Sequence, residues 1–103
     1  MAIKKLAILI LTLTLVLMTS SYASDINNGQ KIYQQNCTIC HGANGSNTMA
    51  GAANFKRGEG LFQSDQSLLT RIQNGKRACP AYRGILTEQK IFDVIAYIRT
   101  LYP

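Results

Sequence analysis

The chain has 103 residues, 47% of them hydrophobic, with eleven basic and five acidic side chains for a formal net charge of +6. That length holds one domain at the lower limit of what a hydrophobic core stabilises unaided. The positive surplus is small; it biases the protein mildly toward acidic partners and excludes the charge footprint of a nucleic-acid binder.

The first residues read as a secretory signal. Lys4 and Lys5 form a positive start, Leu6 to Met18 are apolar apart from Thr12 and Thr14, and Ser21-Tyr22-Ala23 is a small-x-small cleavage site. The apolar run is 13 residues long, whereas a membrane-spanning helix needs roughly 20. The reading is a signal peptide over residues 1–23, cleaved after Ala23, and a mature domain over residues 24–103 in the periplasm or an equivalent exported space. Two basic residues leave with the signal, so nine basic face five acidic and the mature net charge is +4.

A first helix is predicted from Ile26 to Asn36, with Asp25 as N-cap and Ile26, Gly29, Ile32 and Tyr33 at helical spacing. Gly29 costs about 1 kcal/mol against alanine in a helix, and close approach of another helix accounts for it. Directly after this helix stands Cys37-Thr38-Ile39-Cys40-His41. C-x-x-C-H is the attachment signature of a covalent c-type haem: two thiols add to the two vinyl groups on one porphyrin edge, and the adjacent imidazole becomes the proximal iron ligand. A thioredoxin-like motif requires a βαβ pattern and a zinc site requires a further ligand pair, and neither context is present. His41 is the only histidine in the chain. Export agrees with this, because an oxidising compartment otherwise drives unpaired thiols into disulfides.

Residues 42–60 carry five glycines and read as a loop wrapped around a cofactor or as a flexible loop. A middle helix is predicted from Ser64 or Asp65 through Leu68, Leu69 and Ile72 to a stop at Asn74-Gly75. Thr87 caps the strongest helix, which places Ile91, Val94, Ile95, Ile98 and Leu101 on one face with Phe92 and Tyr97 at its margins; Glu88 and Arg99 suit its macrodipole. Asp65, Glu88 and Asp93 are expected to face solvent. No repeat, linker or strand-like alternation divides residues 24–103, so the mature chain reads as all-α, one domain stapled by one haem.

Taken together, Gly29-x-x-x-Tyr33, the C-x-x-C-H run, His41-Gly42-Ala43-Asn44-Gly45, Asn74 to Tyr82, and Leu86-Thr87 through Ala96-Tyr97 resemble, in that order, a class I c-type cytochrome over essentially all of residues 25–103. The resemblance implies the cytochrome c-like helical fold, with the glycine of the first helix crossed against the aromatic of the last, here within Ala96-Tyr97-Ile98. It implies a soluble monohaem electron carrier, a monomer that meets larger redox proteins at an exposed haem edge, and not an enzyme. The family often has a proline in the post-haem loop and a carbonyl there that bonds the proximal imidazole. This chain reads Ala52-Ala53-Asn54-Phe55, which leaves Ala53 only a candidate for that bond.

The other departure is at position 79. The family places methionine before Pro-Ala-aromatic as sixth ligand, and this chain has Cys79. Three readings stand: a thiolate ligand that favours ferric iron, an open or water-bound iron because cysteine is one bond shorter, or an unpaired thiol that is inert or crosslinks two molecules. Met18 leaves with the signal, and Met49 and Lys76 are the remaining competitors for the iron. A haem enzyme or sensor acting on a sulfur compound, gas or peroxide is the alternative to an electron carrier. Lys76, Arg77 and Arg83 flank the segment as a weakly steering basic rim or as a solvated loop.

Overall fold

A computed structural model describes residues 1–16 and 23–103. In chain order it has α1 (Ala2–Val16), α2 (Ile26–Asn36), the single turn α3 (Thr38–His41), a 3-10 turn at Phe55–Arg57, α4 (Asp65–Asn74) and α5 (Glu88–Thr100). Among the described residues the only β-type pairing is a single bridge between Lys76 and Cys79. The fold is all-α, as the patterning predicts. In α1 the large apolar side chains from Ile3 to Leu15 are all more than half exposed, and neither core cluster draws a residue from it. No helix among the described residues is long and apolar enough to cross a membrane. Met18 and the Ser21-Tyr22 part of the cleavage site lie outside the described residues.

The three long helices of the domain start where their capping side chains dictate. Asp25, Ser64 and Thr87 each have extended backbone and each accepts a hydrogen bond from the backbone N–H three residues on, which satisfies donors the first turn leaves unpaired. α4 stops at Gly75, whose φ of 69° no β-carbon favours. The core then assembles on α5. Val94 and Ile98 join Ile32, Tyr33, Phe55 and Leu61, while Ile91 and Ile95 join Leu68 and Leu69. One helix face thus buries α2 and the glycine-rich loop on one side and α4 on the other.

The crossing of α2 on α5 depends on Gly29, as expected, but its partner is different. A β-carbon at residue 29 would overlap the backbone carbonyl of Asp93, so the helices touch backbone to backbone one turn before Tyr97. Tyr97 instead tilts against Tyr33, with ring centroids 5.3 Å apart.

Asp93 also corrects an expectation. It is buried, only 4% exposed, because that backbone contact brings it over the start of α2. Its carboxylate accepts from the Asp25 N–H (2.8 Å), Asn28 Nδ2 (2.9 Å) and Gln89 Nε2 (3.0 Å), beside the positive end of the α2 dipole. Burial alone would raise its pKa, but the bonds from Asn28, Asp25 and Gln89 outweigh burial and hold it below the ordinary carboxylate value. A group with a depressed folded pKa stabilises above its unfolded pKa, about 3.9 for Asp, and loses that contribution as pH falls through the folded value. Asp93→Ala is therefore expected to lose about 1–3 kcal/mol at pH 7, three part-buried donors losing their acceptor, and less at pH 3. Urea unfolding at both pH values checks this; an equal loss at both would refute the acid linkage.

Asp65 and Glu88 are exposed, as expected. Asp65 pairs with Arg99 at 2.7 Å, an exposed contact of small energetic weight. Arg99 does more through backbone carbonyls, donating to Leu61 (2.7 Å) and Gln63 (2.9 Å), and so ties the loop before α4 to the end of α5.

Candidate haem site

Helix α2 ends in its own continuation. Cys37 caps α2 with its N–H on the Tyr33 carbonyl and starts the α3 turn, which the sequence reading did not anticipate. Residues three apart on a helical turn share a face, so the turn sets the Cys37 and Cys40 thiols side by side with His41 next in line. Gly42 closes the turn at φ 79°, and a β-carbon there would overlap the Ser46 carbonyl. The buried Tyr33 hydroxyl donates to the Gly42 carbonyl at 2.7 Å and fixes this exit.

The glycine-rich loop is folded back on the turn and is not free. Thr48 and Met49 N–H groups both reach the Cys40 carbonyl, at 3.0 and 3.2 Å. His41 Nδ1 lies 2.9 Å from the Ala53 carbonyl, and the His41 ring stacks on Phe55 with centroids 4.3 Å apart. A carbonyl only accepts, so Nδ1 carries the proton and Nε2 keeps a free lone pair. Ala53 therefore supplies the imidazole partner that resemblance alone left as a candidate.

The distal segment is held just as tightly. Lys76 and Cys79 exchange two backbone hydrogen bonds of 3.2 and 3.0 Å across a turn with Arg77 at φ 55°. A β-carbon on Gly75 would come within 2.7–2.9 Å of the Cys79, Pro80 and Ala81 backbone. The Tyr82 and Arg83 N–H groups then satisfy the Ile72 and Gln73 carbonyls at the end of α4, and the Tyr82 hydroxyl donates to the Asn36 carbonyl at 3.1 Å.

These segments enclose one cleft of about 270 Å³, walled by Leu68, Ile72, Leu86, Ile91 and Ile98 among other apolar residues. Cys37, Cys40, His41 and Cys79 all line it, as do Met49, Lys76 and Arg77; Arg83 does not and instead bonds Asn74 Oδ1 at 2.8 Å. Met49 stays beside the attachment turn, its sulfur 3.6 Å from Cys40 Sγ. Sequence reasoning missed Arg71, a third cation on the cleft wall. Burial, with smaller contributions from the charges of Cys40 and Cys79, pushes the Cys37 thiol up to about 11. Burial and then the same three thiols raise the Tyr82 phenol.

The residues fit a c-type haem: an apolar cleft, two adjacent free thiols, and an imidazole oriented through Nδ1 so that Nε2 remains for iron. Comparison with known proteins agrees. The family described as cytochrome c oxidase, cbb3-type, subunit III matches residues 24–98. Cytochrome c6 of a Synechococcus strain is 38% identical over 90% of this chain and 85% of its own length. Among solved structures, the c-type cytochrome KustC0563 is similar at 26% identity with a TM-score of 0.65, over 73% of this chain and 98% of that one. Cytochrome c6 of the diatom Phaeodactylum tricornutum is similar at 29% identity and 0.63, over 75% and 93%. A chain that combines this fold, this cleft and these relatives belongs to the class I c-type cytochromes, whose cofactor is one covalently bound haem c.

Proposed function

We propose that this protein is an exported one-electron carrier in which Cys37 and Cys40 hold the haem, His41 binds its iron through Nε2, and Cys79 supplies a thiolate as distal ligand. The observation that carries this reading is the convergence of all four residues on one cleft with His41 Nδ1 already engaged by Ala53. The haem supplies a ferric/ferrous couple when attached. The chain does the rest: Ala53 and Phe55 hold the imidazole, the Gly75 packing holds the Cys79 backbone, and the apolar wall excludes water, so little has to move between oxidation states. Lys76, Arg77 and Arg71 rim the cleft and steer an acidic redox partner toward the haem edge. The relatives named cytochrome c6 support carriage over catalysis. The working unit is residues 24–103, released from the signal by cleavage after Ala23, and it acts as a monomer.

Mass spectrometry of exported material is expected to show the 24–103 chain plus one haem that survives acid extraction. A polypeptide at its bare mass, with haem extractable, would reject thioether attachment. His41→Ala is expected to impair maturation and change the ligation of whatever haem is attached, since the mature chain has no other imidazole. An unchanged Soret spectrum in that variant would remove His41 from the iron.

A further inference from the structure

The hydrogen-bond chain that starts at His41 does not end at its first acceptor. Nδ1–H donates to the Ala53 carbonyl at 2.9 Å, and that carbonyl shares one peptide group with the Asn54 N–H, which donates to the Glu59 carboxylate at 2.8 Å. A carboxylate is thus joined to the candidate iron ligand through a single amide. The fold holds this contact from both sides. The Glu59 N–H returns to the Asn54 carbonyl at 3.0 Å, and the Asn54 side chain accepts from the Arg57 N–H to cap the 3-10 turn. Among the described residues the only ion pair joins Asp65 to Arg99, so no cation there cancels the Glu59 charge at close range.

We propose that Glu59 is a positioning residue for the redox site, its charge acting on the haem iron through the Asn54–Ala53 peptide and His41. Drawing the Asn54 N–H proton toward an anion shifts electron density within the same amide onto the Ala53 oxygen, and hydrogen bonds linked in this way strengthen one another. A stronger acceptor at Nδ1–H makes the imidazole a more electron-rich donor at Nε2, which favours ferric over ferrous iron. Glu59 therefore lowers the reduction potential. Its side chain is exposed and water and salt screen its charge, so the effect is small beside that of exchanging the distal ligand. A clamp on the loop would not need the charge, because a neutral amide accepts the same bond. The inference rests on the reading that His41 binds iron through Nε2.

Glu59→Gln keeps the shape of the side chain and an acceptor for the Asn54 N–H while removing the charge. In the haem-loaded protein it is expected to give an about threefold gain in preference for ferrous iron, a potential higher by roughly 30 mV at about 59 mV per decade. The His41 Nδ1–H proton resonance of the ferrous protein is expected to move upfield, as it does when its hydrogen bond weakens. Glu59→Ala, which removes the acceptor as well, is expected to move both readings the same way and at least as far. An unchanged or lowered potential in Glu59→Gln overturns the proposal. So does a raised potential with the Nδ1–H resonance unmoved, the mark of a charge acting through space and not through the peptide. The carbon-bound ring protons of His41 in the unsubstituted ferrous protein read the premise separately. Large upfield shifts from the porphyrin ring current support it; their absence removes His41 from the iron and overturns the proposal through its premise, whatever the variants show.

Discussion

Cys79→Met is expected to raise the reduction potential of the haem-loaded protein by about 0.3 V, roughly five decades of relative preference for ferrous iron at about 59 mV per decade for one electron. The cause is charge. A thiolate stabilises ferric iron as an anionic donor, whereas a neutral thioether favours the ferrous state. The substitution asks little of the backbone, because Cys79 is positioned by its turn and by Gly75. Potentiometric titration and the weak near-infrared band of iron–methionine coordination read the result. An unchanged potential, with high-spin iron or Met49 ligation already visible in the unsubstituted protein, would exclude the thiolate.

Gly29→Val is expected to be among the most damaging substitutions in the scaffold. Its β-carbon overlaps the Asp93 carbonyl, so α2 must leave α5 or both helices must shift. Overpacking of this kind costs about 3 kcal/mol or more, against a total of roughly 4–12 kcal/mol for a domain of 80 residues. A melting temperature lower by about 12 °C or more follows. The separation would also pull Asp93 from Asp25 and Asn28, adding to the loss. A Gly29→Val protein that melts with the parent would show that the helices do not need this contact.

What could be read from the sequence is what depends on neighbours in the chain. The starts of α2, α4 and α5 are set by Asp25, Ser64 and Thr87 acting three residues ahead, and the Cys37 and Cys40 thiols lie within one turn. The place of Cys79 on the cleft wall was also legible, since Cys79-Pro80-Ala81-Tyr82 stands in a recognisable order. Asp93 was misread because two of its three partners are 65 and 68 residues away, and no periodicity marks a buried carboxylate on an amphipathic helix. The glycine-rich loop was ambiguous for a related reason. Its order comes from long-range bonds to Cys40 and His41, and a composition rich in glycine describes an ordered loop and a loose one equally.

The tight contact of Gly75 with the backbone of residues 79–81 makes the distal position a socket. What the scaffold specifies there is where a side chain starts, not which side chain it is. On the proposed ligation, a thiolate, a thioether or no donor at residue 79 would start from one frame while Pro80 and Tyr82 keep their places, so a single codon would retune the electron affinity of the protein without redesign of its fold. Substitution at residue 75 would do the reverse, leaving the Cys79 side chain unchanged and removing its mount.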